Sequence, residues 1–142
     1  MSATAGGDDA PLTDRDYEVL ARFRAALRVF LHFSEDAAAA EHLTPAQHQL
    51  LLAVRGHAGA TAPSVSDLAD ALQRRRHSVG ELVDRAAAAG LVTSAPDPAD
   101  GRRRLVTLTA DGSARLARLT ALHRAELRRF RAEMADLVDL LG

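Results

Sequence analysis

Residues 97–112 read DPADGRRRLVTLTADG. Acids, a proline and a glycine come first, then three consecutive arginines, then a run that alternates apolar and polar side chains. Asp, Pro and Gly in such a cluster turn a chain. Alternation marks a strand with one buried face. The stretch therefore predicts a β-hairpin with Arg102, Arg103 and Arg104 at its tip, Leu91 to Ala95 as the outgoing strand and Leu105 to Leu108 as the return. Thr109 is placed to cap a helix that begins near Ala110.

Upstream of the hairpin the period changes from two to three and four. Thr13 with Asp16 forms the start signal of a long amphipathic helix over about 14–34, whose apolar positions include Tyr17, Leu20, Phe23, Leu27, Phe30 and Leu31. An alanine-rich connector with helical propensity of its own follows. In LTPAQHQLLLAV, Thr44 caps, Pro45 takes the first helical position and Gln47 completes a capping box, giving a helix to about His57. Ser64 with Asp67 opens a third helix whose stripe is Leu68, Ala69 and Leu72. After a tight turn at Gln73 and Arg74, a fourth helix carries Val79, Leu82, Val83 and Ala86 inward and stops at Gly90. The last helix keeps apolar positions from Leu116 to Leu141, as one helix or as two with a bend near Arg131.

The fold class is thus mainly α with a small β-hairpin. Residues 1–12 are expected as a flexible tail, 13–43 as an N-terminal helix and connector, 44–109 as the central domain and 110–142 as a C-terminal helix or helices. The two terminal helices carry more apolar surface than one small core needs, which points to a homodimer formed through them.

Composition narrows the function. The chain has 142 residues, 47% of them hydrophobic and only 4% aromatic, which suits one domain of close-packed helices. There is no cysteine, so disulfides, thiol switches and thiolate metal sites are excluded. The start MSATAGGDDAP has neither the basic end nor the apolar core of a signal peptide, and no apolar run suggests a membrane span, so a cytoplasmic location is expected. No nucleophile elbow, phosphate loop or HExxH is present, so the chain is not read as an enzyme and no cofactor is expected.

The formal net charge is −1, so any affinity for nucleic acid must come from local arrangement. SVSDLADALQRRRHSVGELVDRAAAAGLV has the pattern of two helices joined by a tight turn, a helix-turn-helix. In such motifs the start of the second helix reaches base edges. Here that start holds Arg75, Arg76, His77 and Ser78, with Arg74 just before and Arg85 further on, free for phosphate or for Asp84 or Glu81. Arginine pairs with guanine through two hydrogen bonds. Arginines at a helix N-terminus oppose the macrodipole, a local cost that an arriving phosphate would offset. A hairpin directly after this helix brings its tip beside the duplex. Asp100 stands two residues from Arg102 and can hold that guanidinium extended for a narrow minor groove. Arg103 and Arg104 point to opposite faces by alternation, so one of them reaches a flanking phosphate or packs back on the domain. The duller reading of each cluster is a solvated basic turn or a tip charged for solubility. Two clusters flanking one helix favour double-stranded DNA.

With these motifs in place the chain, over about 14–141, resembles the MarR family of transcriptional regulators. Asp100-Gly101-Arg102 followed by VTLTADG is the most specific part of the likeness. The resemblance implies a winged helix-turn-helix with long N- and C-terminal dimerisation helices, a homodimer on a palindromic operator, and a repressor released by a small aromatic or anionic effector. It makes Arg102 the minor-groove arginine and Asp100 its positioning acid, and it puts Ser64 and Ser66 where the preceding helix nears the backbone. Three positions depart from the family pattern: Arg74 replaces an apolar residue, Arg75 a capping Ser or Asp, and Ala86 a leucine.

His32 and His48, with Phe30 and Phe33, are the candidate lining of an effector pocket. Six histidines, including His123 with Glu126 at helical spacing, raise zinc sensing as an alternative, but the sequence shows pairs rather than three convergent ligands and no metal residue is assigned. A further alternative is a winged-helix module or antirepressor that works through protein partners; it would not need Arg102 and Arg75 together.

Overall fold

In a computed structural model, which describes residues 10–142, the chain runs α1 (Asp14–Ala40), α2 (Pro45–Arg55), α3 (Val65–Leu72), α4 (Arg76–Ala88), β1 (Val92–Pro96), β2 (Arg104–Leu108), α5 (Ala110–Arg129) and α6 (Arg131–Leu141). Most of the expected tail lies outside the described residues.

Three helix starts follow the local chemistry. Thr13 and Asp16, Thr44 and Gln47, and Ser64 and Asp67 each form a reciprocal capping box. Two orphan amides are satisfied at each end, which fixes where the helix begins. Ser64→Ala is expected to lower stability by about 1 kcal/mol, read as a shift in the urea midpoint at unchanged slope.

α1 runs six residues beyond the expected end at residue 34, to Ala40. Ala37 and Ala38 are the reason: both are buried in the core, so the alanine connector is a packed helix end. It stops where His42 takes a left-handed φ of 59°, with its amide and that of Leu43 closing on Ala39 and Ala38. At the other end of the chain the bend alternative holds. α5 and α6 meet at Phe130, whose ring packs edge-on to Phe23 of α1 at 5.9 Å.

The core sits between α2, α3, α4 and the hairpin. Leu50, Leu51, Leu68, Val79, Val83, Leu91 and Val106 are essentially sealed from solvent. β1 and β2 pair antiparallel from Val92 opposite Leu108 to Pro96 opposite Arg104. The hairpin is tied to the helices at its root: the Val106 amide donates to Pro63 O at 2.9 Å, and Ser64 bridges to Leu105. The tip therefore projects from a fixed base beside α3 and α4.

The terminal helices form a second layer, where α1 packs against α5 and α6 and Arg22 pairs with Asp136. Much of that layer is bare. Tyr17, Val29, Leu127, Val138 and Leu141 are exposed, and α6 buries no residue. Among the described residues no helix is long and apolar enough to cross a membrane.

Candidate nucleic-acid interface

α3 and α4 are joined by two residues, Gln73 at a left-handed φ of 52° and Arg74, followed by Arg75 as N-cap of α4. Ala69, 4% exposed, is small where the two helices touch, and Leu68, Val79 and Leu82 fill the space between them as the sequence implied. Leu72 is only partly buried. This packing turns the start of α4 outward. Arg74, Arg75, Arg76, His77 and Ser78 are all exposed.

No side chain caps α4. Arg75 sits where a hydroxyl or carboxylate would satisfy the first amides, so those amides and the helix dipole face outward together with two guanidiniums. Such a helix end is suited to an anion. Among the described residues, no ion pair engages Arg74, Arg75, Arg76 or Arg85. The possible partners of Arg85 are otherwise occupied: Glu81 contacts His77 Nε2 at 3.2 Å, and Asp84 receives Arg104 at 2.8 Å.

The three hairpin arginines have three different roles. Arg102 projects with its side chain 94% exposed, and Asp100 holds its base: Oδ1 accepts from the Arg102 amide at 3.1 Å and from Nε at 3.5 Å. Arg103 reaches back to Asp67 at 3.5 Å. Arg104 donates to Asp84 Oδ1 on α4 at 2.8 Å and to Ser94 Oγ on β1 at 2.9 Å. Arg103 and Arg104 thus tie the hairpin to α3 and α4, while Arg102 is left for a ligand. Asp67, Asp84 and Ser94 are positioning groups that sequence reasoning did not find, because each meets its arginine only through the tertiary fold. The Ser64 amide donating to Asp67 holds that carboxyl below its usual range, and the Ser64 hydroxyl, Arg103 and His57 act in the same direction.

Ser64 caps α3 as the sequence implies, and it is buried rather than turned to the surface. It is 2% exposed and its hydroxyl accepts from the Asp67 amide at 3.1 Å, so it shapes the start of α3. Ser66, two residues further on, is partly exposed.

The expected effector residues divide. Phe30, Phe33 and His48 gather round His123, with ring centroids 5.7, 5.4 and 4.9 Å from it. His123 Nε2 meets Ser34 Oγ at 2.8 Å and Nδ1 meets Leu119 O at 2.6 Å. His32 takes no part in these aromatic contacts. It lies between Phe30 and Phe33 in sequence, which turns it to the exposed face of α1. The cluster links α1, α2 and α5, and so joins the layer of terminal helices to the lobe that carries α3, α4 and the hairpin. Among the described residues no group of three or more His, Asp or Glu side chains is placed to hold a metal ion.

Burial lowers the His48 pKa, and the neighbouring His123 lowers it further. The unfolded chain then binds the proton more readily than the folded one, so stability rises with pH through the usual imidazole range near 6.5 and falls below it. Urea midpoints taken between pH 8 and pH 5.5 are expected to fall for the wild type and to fall less for His48→Gln. The Asp67 and Glu41 carboxyls are both held low, so the stability they contribute is lost only in more acidic solution and does not obscure this window.

A cavity of about 570 Å³ opens between α2, β2 and α5, lined by Arg55, Leu108, Ser113, Thr120, Ala121 and Arg124 among others. Its two guanidiniums enter no ion pair among the described residues. Neither was legible as a pocket residue, since three separate elements bring them together.

Residues 43–103 match the model of the MarR family. By sequence, no curated protein matches the chain. Solved structures do match in fold. A substituted form of MepR from S. aureus, bound to an oligodeoxyribonucleotide, is 20% identical with a TM-score of 0.68, over 93% of this chain and 100% of that one. AbsC, a MarR family transcriptional regulator from Streptomyces coelicolor, is 23% identical with a TM-score of 0.67, over 94% and 85%. BpsR from Bordetella bronchiseptica, described with regulation of its DNA binding by 6-hydroxynicotinic acid, is 28% identical with a TM-score of 0.65, over 87% and 96%.

Proposed function

We propose, on the premise that residues 43–103 match the model of the MarR family, that the chain is a ligand-responsive repressor that binds a palindromic DNA operator as a homodimer. The observation that carries this reading is the placement of Arg75, Arg76 and Arg102. They lie at the uncapped start of α4 and at the hairpin tip of the same lobe, in a chain whose net charge is −1. Arg75 and Arg76 enter no carboxylate pair among the described residues, and the acid beside Arg102 orients it while leaving its outer nitrogens bare.

α4 enters the major groove and the hairpin reaches the adjacent minor groove. Arg103 and Arg104, held by Asp67 and Asp84, set the angle between the two. Bare apolar side chains on α1, α5 and α6 support a second copy as their cover. Two lobes related by a twofold axis read half-sites about one helical turn, 10–10.5 bp, apart.

Arg75→Ala or Arg76→Ala is expected to relax preference at one base pair by about 1–3 kcal/mol, read by anisotropy against a set of singly substituted operators. A loss that is uniform over all sequences would reassign the arginine to a phosphate.

The proposed effector is a small aromatic anion held between Arg55 and Arg124. The compound that regulates DNA binding by BpsR, 6-hydroxynicotinic acid, is itself an aromatic acid. Benzoate is expected to raise the melting temperature of the wild type and to lose that effect in Arg124→Ala.

A further inference from the structure

We propose that His48 and His123 form a proton-operated joint between the lobe of α3, α4 and the hairpin and the layer of terminal helices, and that acid opens this joint and weakens operator binding. The weakening rests on the proposed operator-binding role; the opening does not. The two rings meet where α2 lies against α5, with centroids 4.9 Å apart and planes tilted by 48°. His123 keeps both of its hydrogen bonds in either charge state. Leu119 O can only accept, so Nδ1 carries a hydrogen, and Nε2 accepts from the Ser34 hydroxyl when the ring is neutral and donates to it when the ring is charged. His48 has no such support. It is 4% exposed, and among the described residues no hydrogen bond engages its ring.

The surroundings do not offset a charge on His48. Burial opposes it, and among the described residues His123 is the one charged neighbour that acts on it, in the same direction. The carboxylates of the packed helices are directed elsewhere. On α1, Glu35 and Asp36 are exposed and Glu41 receives Arg118; on α5, Glu126 meets Arg129 at 3.7 Å. The remaining charges near the joint, Arg55 on α2 and Arg124 on α5, are cations that line the separate cavity. The closed joint therefore has its full stability above the usual imidazole value of 6.5 and loses it as pH falls below that value, because a parted His48 takes up the proton more readily. The position of the pair makes a local opening the route. Leu119 is the last buried residue of α5, and His123 lies one turn beyond it, so the rings can part while Leu116 and Leu119 stay in the core. Such a parting tilts the lobe against α1 and α5, the layer proposed to join two copies, and so alters the separation of their two α4 helices.

The test needs no DNA at its first step. The chain has no cysteine, so Gln49→Cys on α2 and Ala125→Cys on α5, both at exposed positions, take one spin label each. Labelled chain is mixed with excess unlabelled chain, and the distance between the labels is measured by pulsed electron resonance at pH 7.5 and pH 5.5. One distance is expected at pH 7.5 and a second, longer one at pH 5.5. The longer distance is expected to vanish when His48→Gln is added, and to shrink in population with His123→Gln, which removes the second charge. Distances that do not change with pH, or a longer distance that persists in His48→Gln, overturn the proposal. If His48→Gln does not fold, His48→Phe, which fills the same space without a proton site, takes its place. The second step is anisotropy with operator DNA at the same two pH values. The wild type is expected to lose at least tenfold more affinity in acid than His48→Gln, and an equal loss in both overturns the link to DNA. A proton-dependent opening in a chain that binds no operator supports the joint and places the failure in the repressor reading.

Discussion

Arg102→Ala is expected to weaken operator binding by about 1–3 kcal/mol per lobe, roughly fivefold to 150-fold, while the melting temperature stays where it is. The side chain is 94% exposed, and its one ion pair among the described residues is the 3.5 Å contact with Asp100, so its removal leaves no buried group unsatisfied. Its value lies in what it meets outside the chain. A lone cation at the end of a tethered hairpin enters a narrow groove at little further loss of freedom, because the turn is already built. The Asp97 amide donates to Arg103 O at 2.8 Å, and the Arg103 amide to Asp100 O at 3.0 Å. Asp100→Ala separates orientation from charge. If the carboxylate positions Arg102, its loss weakens binding by about 0.5–1.5 kcal/mol despite removing a negative charge from the DNA face. Tighter binding by Asp100→Ala would show that the acid only repels phosphate.

Gly112→Ala is expected to destabilise the fold by about 3 kcal/mol, although alanine is the better helix former. Gly112 lies in the first turn of α5, pressed against the main chain at the entry to β1. A Cβ there would fall far inside the contact distance of Leu91 O. That carbonyl is not free to move. It accepts from the Thr109 amide at 3.0 Å and from the Thr109 hydroxyl at 3.1 Å, and the same hydroxyl caps the Gly112 amide at 3.0 Å. The added methyl therefore forces apart the joint between hairpin and C-terminal helix. Gly80→Ala is the control. An added Cβ meets nothing within 4 Å, so helix propensity alone acts and a gain of up to about 1 kcal/mol is expected from the urea midpoint.

What can be read from the sequence is local. Capping boxes, the Gly90 stop and the hairpin turn each depend on a few neighbouring residues, and each appears where its sequence places it. The end of α1 escapes such a reading because alanines give no apolar period, yet Ala38 is fully buried. At the interface, exposed Arg102 with Asp100 two residues away is legible for the same local reason. The anchoring of Arg104 by Asp84 is not, because the two lie twenty residues apart and meet only when the hairpin folds over α4. The sequence reads Ser64 both as the cap of α3 and as a residue near the DNA backbone; the cap is present, and the bridge to Leu105, which no local pattern shows, goes with its burial. The cationic cavity is hidden because Arg55 and Arg124 lie on different helices and share it only through the packing of α2 against α5.

The most direct measurement is fluorescence anisotropy of the purified protein with DNA from upstream of its own coding sequence, titrated at several salt concentrations beside an unrelated duplex of equal length. A dimeric operator-binding repressor binds the upstream DNA tightly, two chains per duplex, with affinity that falls steeply as salt rises. Its binding to the unrelated duplex is weaker by about a thousandfold or more. Equal, weak binding to both duplexes, carried through to DNA tiled across the neighbouring genes, would contradict this reading.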